Sequence, residues 1–205
     1  MRRGTEFSIR LKGNELMNSR LGGSEEALAT LACAKVPTRK NTRVLIGGLG
    51  MGFTLRATLA ALGPTAQITV AELVPAVLTW SRGLMAEVFG ESLDDPRVSI
   101  READVGQLIR SNPSAFDVIL LDVDNGPDGL TRASNDALYA LQGLRAARLA
   151  LSSGGILAVW SAGPHAAFTN RLLKTGFHVS EVRVRASKSL TGAKHVIWIA
   201  TSPDS

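Results

Sequence analysis

Short apolar runs alternate with helix-like segments along most of the chain, and this rhythm restricts the fold more than any other feature. The runs are rich in Val, Ile and Leu and lie at 43–48, 67–73, 97–102, 116–124 and 154–160. Such runs suit strands that are buried on both faces of a parallel sheet. Helices are predicted between and after them, at 52–62, 75–89, 104–111, 132–151 and 164–175. The alternation therefore predicts an α/β fold with a doubly wound sheet.

The two ends of the chain depart from this rhythm. Segments 177–185 and 194–202 have the pattern of strands, and the short polar stretch between them leaves no room for a crossover helix. They are predicted to form an antiparallel hairpin, which completes a mostly parallel seven-stranded sheet. At the other end, a strand pair is expected near 6–18 and a helix from about Ser24, whose hydroxyl suits a helix N-cap. We therefore predict an N-terminal hairpin and helix over 1–40 and a ligand-binding domain over 41–205.

Composition restricts the class of protein and its location in the cell. The chain has 205 residues, of which 45% are hydrophobic and 20% are charged, as in ordinary globular proteins. No apolar run approaches the roughly 18 residues of a membrane span, and the first residues lack an apolar secretory core. Cys33 is the only cysteine, which excludes an internal disulfide and any multi-cysteine metal site. These features predict a cytoplasmic protein with no membrane partner.

Charge gives a second restriction. The net charge is +5 and the pI is about 9.9, but the basic residues are scattered and aromatic residues make up only 5%. A nucleic-acid-binding protein would show a dense basic stripe with interleaved aromatics. We therefore expect a solvated arginine-rich surface and no nucleic-acid partner. No spacing of His and Glu indicates a metal site.

Residues 44–59, "VLIGGLGMGFTLRATL", contain an unusual glycine-rich turn between the first strand and the first helix of this alternation. Its glycines are Gly47, Gly48, Gly50 and Gly52. Glycine allows a ligand to approach the backbone closely, and ligands of open α/β sheets bind at the carboxyl edge of the strands. The alternative is a tight turn without a ligand. A dinucleotide fingerprint would have glycine at 53, where this chain has Phe53, so a nicotinamide-dependent oxidoreductase is a poorer interpretation.

Acidic residues follow the second and third predicted strands. Glu72 is the only polar side chain in an apolar stretch, and an acid at this position can accept hydrogen bonds from both ribose hydroxyls. Asp104 could meet the exocyclic amine of an adenine, with Val105 against the ring. The alternatives are a solvated acid for Glu72 and a helix cap for Asp104, and the cap is compatible with adenine binding.

The fourth and fifth strands end in further polar residues. Asp122, Asp124 and Asn125 crowd the end of the fourth strand, where like charges repel unless a cation is expected. A sulfonium or a protonated amine would serve, and ordinary turn chemistry is the alternative. Trp160 and His165 follow the fifth strand and could line an acceptor pocket.

Taken together, these segments resemble the spermidine/spermine synthase family, a branch of the Rossmann-like class I S-adenosylmethionine-dependent methyltransferase fold. "VLIGGLGMGFTLRATL" is similar to the glycine-rich loop of that family, and "VAELVPAVLTWSR" is similar to its second strand with the ribose-binding acid. "READV" resembles its adenine-contacting segment, and "FDVILLDVDNGP" resembles its fourth strand. The resemblance implies that Asp122 positions or deprotonates an attacking amine, assisted by Asp124 or Asn125.

The chain also departs from the pattern of this family. A Tyr-His-Glu triplet at the start of the first helix is replaced by Ser24, Glu25 and Glu26. The acid often found in the glycine loop is absent, and Leu49 and Met51 occupy its middle. The family also has a separate strand-rich N-terminal domain, of which 1–40 resembles only the last part.

Three functions remain open from the sequence. The first is transfer of an aminopropyl group to a small-molecule amine from an S-adenosylmethionine-type donor, either S-adenosylmethionine or its decarboxylated form. The second is methyl transfer from S-adenosylmethionine to a small molecule or protein. The third is a catalytically inactive nucleoside-binding protein. By analogy with the family, the chain could form a homodimer.

Overall fold

A three-stranded antiparallel sheet and a helix precede the main body of the protein. The computed structural model describes residues 1–11, 14–36, 41–123, 126–127, 137–186 and 193–203. The small sheet contains β1 (Arg2–Arg3), β2 (Glu6–Leu11) and β3 (Asn14–Asn18), and α1 spans Gly23–Cys33. Within the described ranges, no helix is both long enough and apolar enough to span a bilayer.

Seven strands form the main sheet, in the order β6-β5-β4-β7-β8-β10-β9. The first five along the chain pair in parallel, and β10 is antiparallel to both of its neighbours. The predicted fold class is therefore confirmed, including the antiparallel C-terminal hairpin. Their bounds are β4 Arg43–Gly47, β5 Gln67–Glu72, β6 Val98–Glu102, β7 Phe116–Leu121, β8 Leu151–Ser161, β9 His178–Arg185 and β10 Lys194–Thr201.

Each parallel strand is followed by one or two helices. These helices are α2 (Phe53–Ala61), α3 (Pro75–Arg82), α4 (Ala86–Phe89), α5 (Val105–Ser111), α6 (Leu141–Ala150) and α7 (Ala166–Lys174).

Three predicted bounds were wrong. The helix predicted over 75–89 divides at Gly83, because glycine destabilises a helix interior. Strand β7 ends at Leu121, before the carboxylates, and β8 begins at Leu151, where its apolar side chain enters the core.

Alternate residues of the central strands enter two different cores, one on each face of the sheet. In β4, Val44 and Ile46 pack on the same face as α1 and α2, whereas Leu45 packs on the opposite face with α5 and α6. Helix α1 contributes Leu28 and Ala32 to the first core. The N-terminal helix thus shares the hydrophobic core of the sheet, and the predicted boundary at residue 40 stays a prediction.

The start of α1 differs from the sequence prediction. Ser24 was expected to be the N-cap, but the helix begins at Gly23, and the capping residue Gly22 makes no side-chain hydrogen bond. Gly22 lies so close to the Phe53 ring that an added Cβ would overlap it, at 2.2 Å. The helix thus begins one residue earlier than predicted, and Ser24 is fully buried.

Strand order reverses between β4 and β7, which creates the crevice where ligands of open α/β sheets bind. The two strands remain joined beyond their ends, because the Asp122 amide donates to the Gly47 carbonyl at 3.0 Å. The glycine-rich turn and the polar end of β7 therefore lie side by side.

Candidate functional site

Protein packing explains much of the glycine-rich turn. Gly48, Gly50 and Gly52 have φ angles of +90°, +51° and +73°, which side chains rarely adopt. A Cβ at Gly48 would lie 2.5 Å from the Asp122 carbonyl oxygen, and one at Gly52 would lie 2.6 Å from the Phe89 ring. Gly50 meets only the flexible Met17 side chain, at 3.3 Å from its sulfur. Packing within the protein thus explains the glycines at 48 and 52 without a ligand, as the structural alternative proposed. Contact of the turn with a ligand stays a prediction.

Glu72 ends β5 and is buried, with 7% of its surface exposed. One carboxylate oxygen accepts the Leu49 amide at 3.0 Å, and the other accepts the Val74 amide at 2.7 Å. The alternative of a solvated acid is therefore wrong. Because a carboxylate has about four acceptor positions, Glu72 can hold the glycine turn and still accept from a ribose hydroxyl.

Asp104 caps α5, because its side chain accepts the Gln107 amide at 3.0 Å. The helix-cap interpretation is therefore confirmed, and contact with an adenine stays a prediction. Val105 is buried, and its methyl groups lie 3.0 Å from where a Gly47 Cβ would be. Both residues thus lie near the turn that follows β4.

Asp122 follows β7 and lies beside the N-terminus of α1. Its Oδ2 accepts the Thr54 hydroxyl at 2.8 Å, and the same hydroxyl lies 3.4 Å from the Glu25 carbonyl oxygen. Thr54 is in the first turn of α2 and is buried. The end of β7, the first turn of α2 and the start of α1 thus meet at the Thr54 hydroxyl.

The electrostatic environment of Asp122 is unusual. Burial raises the pKa of Asp122 to about 7, the Glu25 charge adds to this increase, and the Thr54 hydrogen bond acts against it. Burial also raises the pKa of Glu25, and the Ser24 hydroxyl opposes that increase. The two carboxyl groups therefore titrate as a pair, and the pair retains protons at a pH where isolated carboxyl groups are ionised.

A second group of contacts connects Glu25 to the last strand. The fully buried Ser24 hydroxyl donates to Glu25 Oε2 at 2.6 Å and lies 2.8 Å from His195 Nδ1. The His195 ring meets Trp160 edge to face, with the ring centroids 4.8 Å apart. Trp160 Nε1 is buried and has no hydrogen-bond partner in the described part of the chain. The site therefore includes a buried hydrogen-bond donor that the described residues leave unpaired.

The remaining predicted residues lie elsewhere or cannot be placed. His165 caps α7, where its Nδ1 accepts the Phe168 amide at 3.0 Å, so its main observed role is structural. Asp124 and Asn125 lie outside the described residues. Within the ranges that are described, no cluster of His, Cys, Asp or Glu could hold a metal ion.

Sequence reasoning missed Glu25, Thr54, Ser24 and His195 as members of one site. The available signal was the departure at the start of α1, where Glu25 falls in the middle of the replaced Tyr-His-Glu triplet. His195 had no comparable signal, because one histidine on a predicted strand is usually an ordinary partly buried residue.

Comparison with known proteins identifies the family of the chain. Residues 23–175 match the model of the spermine/spermidine synthase domain. A polyamine aminopropyltransferase of Mycobacterium tuberculosis is 35% identical over 126 residues, which cover 60% of this chain and 23% of that relative. One of Korarchaeum cryptofilum is 28% identical over 123 residues, which cover 60% of this chain and 36% of that protein. The matched region is thus about a quarter to a third of the length of these relatives.

Solved structures show the same fold. Spermidine synthase from Thermotoga maritima has a TM-score of 0.75 at 20% identity, and the match covers 96% of this chain and 65% of that one. TrmN from Thermus thermophilus has a TM-score of 0.61 at 25% identity, with coverages of 87% and 48%. Because the domain match extends over most of the sequence, the chain belongs to the spermine/spermidine synthase family.

Proposed function

We propose that the chain transfers an aminopropyl group from decarboxylated S-adenosylmethionine to a small-molecule amine. The observation that carries this proposal is Asp122, a carboxyl group at the ligand edge of the sheet whose pKa is raised to about 7. A general base is most effective when its pKa lies near the working pH. The match to the spermine/spermidine synthase domain and the aminopropyltransferase names of the relatives support the same reaction.

The reaction requires a neutral amine. Its nitrogen attacks the propyl carbon bonded to the sulfonium, so that a C–N bond forms while the C–S bond breaks. The electron pair of the C–S bond goes to sulfur, and methylthioadenosine leaves as a neutral thioether. Asp122 takes the proton of the amine, and the fixed positions of both reactants remove much of the entropic barrier.

The donor would lie along the edge formed by β4, β5 and β6. Glu72 would accept from the ribose hydroxyls, and Asp104 with Val105 would meet the adenine. The glycine turn would lie under the tail of the donor. A bound sulfonium would favour the ionised form of Asp122 at this end of the crevice, because a nearby positive charge lowers the pKa of a carboxyl group.

Methyl transfer from S-adenosylmethionine is a second candidate, favoured by one observation. The middle of the glycine turn holds the buried apolar residues Leu49 and Met51, so these positions supply no acid that would repel the carboxylate of intact S-adenosylmethionine. The donor therefore has to be identified by experiment.

Ligand-dependent stabilisation tests donor choice directly. The melting temperature is measured with S-adenosylmethionine, its decarboxylated form, methylthioadenosine and NAD, since a ligand that binds only the folded state raises stability. Products are then separated by chromatography after incubation with each donor and a panel of diamines and amino acids. Methylthioadenosine indicates aminopropyl transfer, and adenosylhomocysteine indicates methyl transfer.

The same assay gives the result that contradicts the proposal. A folded protein that binds these nucleosides but releases neither product with any acceptor is a binding protein without this chemistry. When Asp122→Asn is compared with the parent in this assay, Asp94→Asn is a suitable control. Asp94 is exposed and pairs only with Arg82 among the described residues.

A further inference from the structure

We propose that a basic cleft at the amino edge of the main sheet binds a small molecule that carries a phosphate group. The cleft lies where β7 and β8 begin and where α6 and α7 end, and its volume is about 590 Å³. Small-molecule sites usually enclose roughly 300–1,000 Å³, so the cleft is large enough for such a ligand. The inference is independent of the proposed transfer reaction, which is placed at the opposite edge of the sheet.

Among the described residues, the charged side chains that line the cleft are all cations. They are Arg145 and Arg148 of α6 and Lys174 of α7. Arg145 and Arg148 are three positions apart, so they lie on the same side of the helix. Within the described ranges, none of the three cations forms an ion pair with a carboxylate. The cleft therefore concentrates positive charge that an anionic ligand would neutralise.

Arg148 reaches from α6 to the end of α7. Its Nη1 donates to the Thr175 carbonyl at 3.0 Å, and a Cβ on Gly176 would lie 2.9 Å from the same nitrogen. Gly176 also has a φ of +85°, which side chains rarely adopt, so the glycine leaves room for the guanidinium group. Because a guanidinium group has five N–H donors, Arg148 is held by the protein and still has donors for a phosphate.

Hydroxyl groups add further donors to the cleft. Ser114 and Ser202 line it, and a hydroxyl can donate to a phosphate oxygen. Ser152 also lines the cleft, but its hydroxyl donates to the buried Asp117 carboxylate at 2.7 Å. That carboxylate accepts the Arg43 amide at 2.8 Å and lies 3.5 Å from Arg43 Nε. Arg43 therefore balances the charge of Asp117, which does not cancel the charge of the cleft.

Helix stability explains only part of this arrangement. Arg148 and Lys174 lie in the last turns of α6 and α7, where a cation stabilises the helix dipole. Arg145 lies before the last turn of α6, and this electrostatic effect falls off within one turn. Ser114 has a φ of +51°, which is uncommon for a residue other than glycine, and its amide donates to the Leu149 carbonyl at 2.8 Å. Helix stability therefore leaves Arg145 and the conformation of Ser114 unexplained.

The chemistry of these donors favours a phosphate group. Guanidinium groups bind phosphate oxygens through two parallel hydrogen bonds, and lysine binds phosphate as a point charge. An apolar ligand would remove water from the cations without replacing their hydrogen bonds, which costs free energy. The phosphate has two possible sources, an inorganic phosphate and a phosphorylated metabolite, and the experiment below separates them.

The cleft is well separated from the proposed reaction site. Strand β7 extends from the cleft toward Asp122, and its six residues span about 20 Å at roughly 3.3 Å per residue. A small ligand in the cleft therefore cannot contact the reacting amine. Its binding is measurable whether or not the protein has turnover.

Calorimetric titration with pyrophosphate and with glucose 6-phosphate, at low ionic strength, tests the cleft. Neither probe carries a nucleoside that the opposite edge could take. We expect saturable binding that Arg145→Gln and Lys174→Gln each weaken by about tenfold, because each removes a charged donor. Both residues are exposed, so the variants should keep the melting temperature of the parent. Arg110→Gln is the matched control, because Arg110 is an exposed arginine in the last turn of α5 and does not line the cleft.

The relative affinity of the probes identifies the source of the phosphate. Tighter binding of glucose 6-phosphate indicates a phosphorylated metabolite, and tighter binding of pyrophosphate indicates an inorganic phosphate. Either order supports the proposal when the two variants weaken it.

Four results would overturn the proposal. The folded parent binds neither probe, or it binds them with the same affinity as both variants, which places the probe elsewhere. Binding appears only in Asp204→Asn, which would assign the cleft to a carboxylate of the chain itself, since Asp204 follows the lining residue Pro203 in the sequence. Single-stranded RNA binds while neither small phosphate does, which would assign the cleft to a macromolecule.

Discussion

Replacement of Asp122 by Asn should stabilise the protein and greatly reduce its turnover. Asp122 is partly buried, and the pKa of its carboxyl group is raised from 3.8 to about 7. In the unfolded chain the pKa of Asp122 lies near its ordinary value of 3.8. Between about pH 4 and about pH 7, the folded state therefore binds more protons than the unfolded state. Stability from this group is therefore complete below about pH 4 and is lost as the pH rises through about 7.

The size of the effect follows from the shift in pKa. A change from 3.8 to about 7 spans roughly three pH units, and each unit corresponds to about 1.4 kcal/mol. Ionised Asp122 thus lowers the free energy of unfolding by about 4 kcal/mol at most. Part of this free energy arises from electrostatic repulsion between Asp122 and Glu25, so it belongs to both residues and not to Asp122 alone. Asparagine removes the charge and keeps an oxygen that can accept from the Thr54 hydroxyl.

Urea denaturation of parent and Asp122→Asn at about pH 5 and about pH 8 measures this difference. The advantage of the variant should grow by roughly 2–3 kcal/mol between these conditions, because the parent loses stability over this interval. Turnover should fall by about a hundredfold to ten-thousandfold, mainly in kcat. A variant that is less stable at both pH values and keeps its turnover would show that Asp122 serves only the local turn.

Three other substitutions test separate parts of the site. Thr54→Val removes the hydroxyl that donates to Asp122, so the acid limb of the pH–rate profile should move to higher pH. Gly48→Ala should lower the melting temperature more than Gly50→Ala, because its Cβ would lie 2.5 Å from a backbone oxygen whereas Gly50 meets only a flexible side chain. Glu72→Gln should weaken donor binding by about tenfold in calorimetric titration, since the charged acceptor for ribose is lost.

Each of these substitutions has a matched control or a contrary outcome. Glu102 ends the neighbouring strand opposite Glu72 and is exposed, so Glu102→Gln should leave the affinity for the donor unchanged. Thr79→Val, at an exposed position on α3, should leave the pH–rate profile in place. Equal melting temperatures for Gly48→Ala and Gly50→Ala would contradict the packing described for the turn.

Sequence patterns were sufficient to predict the sheet, because the apolar pattern of each strand indicates which of its faces are buried. Strand β4 is apolar on both faces, and both faces are buried, as in any central parallel strand. The carboxyl ends of such strands lie at one edge, so the sequence is sufficient to place the glycine turn, Glu72 and Asp122 together. The antiparallel direction of the last two strands followed from the short connection between them.

Tertiary contacts decided what the sequence could not. Ser24 matches the preference for helix caps, yet the helix begins at Gly23, and the Ser24 hydroxyl contacts Glu25 and His195 instead. Its contact with His195 joins residues 171 positions apart, and no periodicity reports such a pairing. The insertion of β10 between β8 and β9 brings this histidine toward α1, and the hairpin pattern alone did not specify that order.

The site therefore has two parts with different origins. The proposed donor side lies at the carboxyl edge of the sheet, where Glu72 ends β5 and Asp104 precedes α5. The proposed acceptor side also involves α1, because the charge of Glu25 contributes to the raised pKa of Asp122. A small change in α1 would alter proton affinity at the site without moving the nucleoside-binding edge. We therefore expect a substitution of Glu25 to change the pH dependence of turnover before it changes the affinity for the donor.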